Sequence, residues 1–278
     1  MARRLSRPRQ IGRDLLVRVG ARTPDQIDPI ETAKELGIQV TFGHLKGATA
    51  RIFRVGAKAR IRVSDDIVTK GRQRVAIAHE VGHFALDHEL PTEGEPASWF
   101  KASCEHRSKR DERDADILAI EHLTPAPMAA PYCGVTPVDL HAVKVIERVF
   151  TASPVMGAMR FAELSPEACA AVYSERGVMK WMKPSRTFPT YVEGGKTLAR
   201  ESIAAGFFDR GTLIDVPTRL PAFTWLGSSK QVAPELEIIE HAMVIPEPGW
   251  GGVLSLLWLP NWKPLRTAGH PRERSLRA

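Results

Sequence analysis

The chain reads as an α+β protein, a mostly helical domain with a small β-sheet followed by a β-rich domain. Three patterns predict this. Residues 70–86 and 109–123 repeat apolar side chains at helical spacing. Residues 38–64 alternate apolar with polar or basic residues around a tight turn, as half-buried strands do. Beyond residue 168 short strand-like runs outnumber helix-like ones. A length of 278 residues with 43% hydrophobic content can bury a sizeable core and excludes wholesale disorder. No apolar run approaches the roughly 20 residues of a membrane helix. The basic start, Met1–Gln10, has no apolar stretch behind it, so the expected location is the cytoplasm, away from membranes. Cys104, Cys133 and Cys169 are odd in number and widely spaced, against both a disulfide scaffold and a thiolate zinc site.

The net charge of +7 is concentrated at the two ends. Residues 1–22 carry seven arginines against Asp14, and residues 263–278 carry five basic residues against Glu273. The stretch between them is slightly acidic. A nucleic-acid-binding face would hold its excess inside the fold, so both ends are read as solvated basic tails. Any nucleic-acid contact would have to rest on those tails.

The elements follow in order. Asp28-Pro29-x-Glu31 starts a helix, with Asp as cap and Pro at the first position, and Gly37 ends it. Ile38–Phe42 is a strand, and Ala50–Val55 with Ala59–Ser64 form a hairpin around Gly56-Ala57-Lys58. A helix spans about Lys70–Leu86, a Pro-, Gly- and Glu-rich loop covers 89–108, and a second helix runs from Lys109 to Leu123 before Thr124-Pro125. Thr136-Pro137 and Ser153-Pro154 open two further helices. The pair over 136–164 resembles a helix-turn-helix unit, but its second helix offers only Arg160 as a basic residue, which favours packing over DNA reading. A hairpin is expected at Ala168–Ser174 and Val178–Met182. Strand-like runs follow at Thr212–Val216, Ala222–Leu226, Leu236–Ile245 and Val253–Leu259, with a helix-like stretch near Lys196–Ala205. Trp225, Trp250, Trp258 and Trp262 read as core material. The divisions are 1–22 tail, 23–165 first domain, 166–262 second domain and 263–278 tail.

The chemistry lies in His79-Glu80-Val81-Gly82-His83, an HExxH motif inside the first long helix. Positions i and i+4 share a helix face, so His79 and His83 can ligate one Zn²⁺ while Glu80 beside it takes a proton from water. Tetrahedral zinc needs a third protein ligand. Glu112 supplies it, and Asp116, one turn on, can bond the free imidazole nitrogen of a ligand histidine. Asp114 competes, but on a regular helix it points about 160° away from Asp116. Such ExxxD helices complete HExxH sites in thermolysin-like zincins, which this helix pair resembles. A metzincin-type third ligand would fall on Glu89, with glycine needed where Leu86 stands, so that reading fails. His88 is expected off the metal face, as a bystander. Tyr132, His122 and His141 are the candidates for stabilising an oxyanion. The working ion is expected to be Zn²⁺, with Mn²⁺ as the alternative.

The run Gln73-Arg74-Val75-Ala76-Ile77-Ala78 before the motif, and the Glu112–Asp116 helix closing on Leu123-Thr124-Pro125, resemble the ImmA/IrrE family of bacterial metallopeptidases over about residues 25–165. Members usually carry Leu-Leu-Met-Pro at the close, so His122 and Thr124 depart from the pattern, as does Leu118 where Phe is usual. The resemblance implies a C-terminal sensor-like domain, sometimes GAF-like. It also implies regulated cleavage of a helix-turn-helix transcriptional repressor, releasing stress, DNA-damage or mobile-element genes. Two other readings compete. One is a non-catalytic DNA-binding regulator with structural zinc, against which the intact Glu80 argues. The other is a phage- or toxin-like protease with a different host target. Because every ligand precedes residue 117, a fragment ending near Leu164 is expected to keep its metal.

Overall fold

The computed structural model describes residues 5–45, 47–92, 108–227, 235–246, 251–260 and 262. Helix α2 (Pro29–Glu35) starts where Asp28 accepts the amide of Ile30, with Pro29 behind it. Strands β1 (Ile38–Phe42), β2 (Ala50–Val55) and β3 (Lys58–Val63) form a sheet in the order β1-β3-β2. β1 runs parallel to β3 and β2 antiparallel, so β2 is an edge. The alternation of β3 puts Ala59, Ile61 and Val63 on the inner face. There they pack with Ile52 and with Ile77 and Val81 of helix α3 (Lys70–Ala85).

The N-terminal segment differs from the solvated tail expected for it. Arg7–Arg18 is a helix, α1, with Leu15 and Leu16 buried. It packs on helix α4 (Lys109–Leu123). Two of its arginines, Arg9 and Arg13, are held by acidic partners more than a hundred residues away. Arg13 Nε lies 2.7 Å from Glu121, Arg9 lies 3.1 Å from Glu121, and Arg9 also pairs with Glu163. Glu121 in turn meets Arg160 at 2.9 Å, both side chains fully buried. Burial raises the Glu121 carboxyl, but the charges of Arg160 and Arg13 outweigh it and hold the group below its usual range.

Helices α5 (Leu140–Phe150) and α6 (Pro154–Leu164) bury Val143, Ile146, Phe150 and Phe161. α5 starts later than Thr136-Pro137 because Asp139 supplies the cap, accepting the amide of His141. Arg160, the basic residue weighed for DNA contact, is fully buried.

The C-terminal sheet has the order β5-β4-β8-β7-β6, with every neighbour antiparallel. Its strands are β4 (Cys169–Glu175), β5 (Val178–Pro184), β6 (Thr218–Pro221), β7 (Glu237–Ile245) and β8 (Gly252–Trp258). Both faces of β4 are buried, which explains its unbroken apolar run. Cys169, Ala171, Tyr173, Leu254 and Leu256 join α5 and α6 in one cluster. Ala170, Val172, Leu257 and Ile238 form another with Ile203 and Trp225. Residues before 165 and after 168 therefore share a core.

Other differences are local. Thr212–Val216 is not a strand, and pairing with β7 begins at Thr218. Phe223–Leu226 is a single helical turn where Ala222–Leu226 reads as a strand. The helix expected near Lys196–Ala205 is α7 (Ile203–Arg210), because Ser202 caps it by accepting the amide of Ala205. Beneath it the buried Glu240 accepts the amides of Ile203 and Ala204, the Trp225 indole and the Ser255 hydroxyl. Cys104, Trp250, residues 93–107 of the expected loop and the 263–278 tail lie outside the described residues. Among those described, no helix is long and apolar enough to cross a membrane.

His122, a departure from the family pattern, ties three helices. Nε2 lies 3.0 Å from Thr32 Oγ1 on α2, and Nδ1 lies 3.4 Å from the Gly12 carbonyl on α1. Burial pushes its pKa down to about 4. A depressed folded-state pKa contributes stability above the unfolded value of 6.5, and that contribution is lost as pH falls towards 4. The loss should reach about 3 kcal/mol. Urea midpoints at pH 7.5 and pH 4.5 should therefore differ less in His122→Gln than in the unmodified chain; equal differences would remove His122 from this role.

Candidate metal centre

The two ligand-bearing helices are fixed before any ion is considered. α4 begins with a capping box: Ser108 accepts the amide of Asp111 and Asp111 accepts the amide of Ser108. This holds Glu112 in the first turn. A Cβ on Gly82 would lie 3.1 Å from the Ala115 Cα and carbonyl, so glycine there lets α3 and α4 close together.

Across that contact three ligand atoms converge. His79 Nε2 lies 3.0 Å from His83 Nε2 and 3.1 Å from Glu112 Oε2, and His83 Nε2 lies 3.4 Å from Glu112 Oε1. The trio is grouped closely enough to hold one metal ion. Burial lowers the His79 pKa, but hydrogen bonds to Asp116 and Glu112 and the charge of Glu80 outweigh it and push the value up to about 10. The site thus favours positive charge, and two imidazoles with one carboxylate are a donor set suited to a divalent ion of zinc type.

The surrounding residues divide sharply. Asp116 Oδ1 lies 2.9 Å from His79 Nδ1, leaving Nε2 turned to the trio. Glu80 is buried, and one carboxylate oxygen accepts the amide of Ile52 on the β2 edge at 3.0 Å. Asp114 turns away to pair with Arg110 at 3.9 Å, and Glu89 is exposed. None of the three oxyanion candidates lines the cleft at Glu80. His122 is locked among helices, Tyr132 packs edge-on against Phe150, and His141 is exposed at the start of α5.

His88 is the residue that sequence reasoning placed wrongly. Asp87 adopts a left-handed conformation (φ 61°) after α3, and the chain folds back so that the His88 amide donates to the His83 carbonyl. His88 Nδ1 then lies 2.9 Å from His83 Nδ1, with His88 Nε2 3.6 Å from Asp111. Helical periodicity cannot show this, because the contact exists only beyond the helix end. The Asp at the left-handed position is the signal that was available. With Nε2 of His83 holding an ion, its Nδ1 would carry the ring proton and donate it to His88. His88→Phe should weaken metal binding by about 10–100-fold in a chelator competition, at unchanged helix content; an unchanged affinity would return His88 to a bystander.

A cleft of about 470 Å³ opens over Glu80 and His79, between α3, the start of α6 and the C-terminal sheet.

A helical pair carrying HExxH and a facing carboxylate groups His79, His83 and Glu112 so that they could hold a metal ion. Residues 33–161 match the peptidase M78 family model, described as the IrrE N-terminal-like domain. The family points to a metallopeptidase. Among solved structures, a Mycobacterium tuberculosis transcriptional regulator is similar in fold, with a TM-score of 0.57 and 12% identity over 90% of this chain and 75% of that one. No curated protein matches the sequence.

Proposed function

We propose that the protein is a cytoplasmic, Zn²⁺-dependent endopeptidase of thermolysin-like zincin type. Its substrate is a helix-turn-helix transcriptional repressor, and cleavage releases stress, DNA-damage or mobile-element genes. The observation that carries the reading is the convergence of His79, His83 and Glu112 beside the buried Glu80, with His79 and Glu80 lining a cleft. In this reading the three residues hold the ion, with Mn²⁺ as the alternative, and Asp116 and His88 fix the two imidazoles. The bound ion supplies Lewis-acid polarisation of the scissile carbonyl and of the attacking water. The Glu80 carboxylate accepts the water's proton and delivers it to the leaving amide nitrogen. The five-stranded sheet is in keeping with a GAF-like sensing or recruiting role for residues 166–262. The inward-turned Arg160 gives no support to DNA reading by α6.

The test is incubation of the purified, metal-loaded protein with the small helix-turn-helix repressor encoded nearest its gene, with and without Glu80→Gln. The variant should retain stoichiometric metal and lose cleavage by at least about 100-fold. Cleavage by the variant at the unmodified rate would remove Glu80 as the base, and an intact repressor with the unmodified protein would remove the substrate.

A further inference from the structure

The cleft over Glu80 is built from two sources. Val75, one turn before His79 on α3, forms one side. The opposite wall comes from outside the matched residues 33–161, from Tyr173, Trp181 and Ile245 of the C-terminal sheet. Tyr173 and Trp181 are directly paired across β4 and β5, and their rings stack at 5.8 Å with 22° between planes. On β8, a Cβ at Gly252 would fall 2.4 Å from the Tyr173 ring, so glycine there lets the ring lie across the strand. Pro154 and Val155, at the start of α6, close the end. The space of about 470 Å³ is within the range of ordinary ligand pockets, about 300–1,000 Å³.

We infer that this cleft is the specificity pocket of the peptidase site: it takes a bulky apolar side chain, of leucine or phenylalanine size, from a residue beside the scissile bond, and the C-terminal sheet sets that preference. The inference rests on the peptidase reading of the same site. Proximity places the pocket next to the bond, because Glu80 and His79 line it. Chemistry sets the class: Val75, Val155, Tyr173, Trp181 and Ile245 reward buried apolar area, and they share the cleft with the charged Arg72 and Glu175. The second domain would then contribute to choosing the substrate, while leaving the chemistry to α3 and α4.

The experiment uses the full-length, metal-loaded chain carrying Glu80→Gln to prevent turnover. Its ligands are pentapeptide amides Ala-Ala-X-Ala-Ala, with X as Leu, Phe, Ala or Asp, and binding is read by calorimetry. Leu and Phe should bind at least about 10-fold more tightly than Ala or Asp. Adding Trp181→Ala should abolish the preference. Val155→Phe, at the closed end and on a different element, should narrow the pocket and move preference towards Ala, so the inference stays testable if the tryptophan variant fails to fold. Equal binding of all four peptides overturns the proposal, as does a preference untouched by Val155→Phe. Cleavage of the same peptides by the chain with Glu80 intact is read separately. A binding preference without cleavage supports the pocket and overturns the peptidase reading.

Discussion

Ending the chain at Leu164 is expected to leave a fragment that neither folds stably nor holds metal stoichiometrically. This reverses what the ligand positions alone suggest. Tyr173, Ile245, Leu254 and Leu256 share a core cluster with Ile146, Phe150 and Phe161. Burying each large side chain contributes about 1.5–3 kcal/mol, so removing four costs on the order of 6–12 kcal/mol. That is comparable to the whole stability of a typical domain, about 5–15 kcal/mol. Circular dichroism, thermal melting and metal analysis of residues 1–165 against the full chain provide the check. A fragment with a cooperative melt and one bound metal would show that the shared core is dispensable.

The second large effect is expected at the buried contact between α4 and α6. Arg160→Met should destabilise the protein by about 3–5 kcal/mol, since it breaks a fully buried pair and strands its partners. Arg160 also donates to the Ile120 carbonyl at 3.0 Å and to Thr124 Oγ1 at 3.3 Å, and it pairs with Glu163 at 3.2 Å. The loss should appear as a fall of roughly 10 °C in melting temperature. Adding Glu121→Leu should recover part of it, because the second uncompensated charge is then gone. A single variant within about 1 kcal/mol of the unmodified chain would show that Arg9 and Arg13 alone satisfy Glu121.

The same cluster shows where sequence reasoning runs out. α3 and α4 were legible because their apolar spacing and the Thr124-Pro125 stop are local signals, and with them came the placement of His79, His83 and Glu112. Helix α1 was not. Seven arginines look like a solvated tail until Glu121 and Glu163, more than a hundred residues on, are brought beside Arg9 and Arg13. The departures at His122 and Thr124 likewise make sense only in three dimensions, where one bonds Thr32 and the other accepts from Arg160. In the C-terminal sheet the long strands were visible, but short elements went astray where one cap decided the outcome, as Ser202 does for α7. The cleft could not be read at all, since its far wall comes from strands about a hundred residues beyond the motif.

The hydrogen bond from the Ile52 amide to Glu80 has a consequence for genetics. An alanine allele at position 80 is the customary way to ask whether a suspected peptidase acts through its chemistry in the cell. Here it would also strip the acceptor from a buried amide on the β2 edge, at a cost of about 1–3 kcal/mol. Steady-state abundance would then fall along with any catalysis, and a null phenotype would report on protein level as much as on activity. Glutamine retains a carbonyl for Ile52 while removing the proton acceptor. Complementation with the glutamine allele, with protein levels measured alongside, is the comparison whose outcome speaks to the reaction.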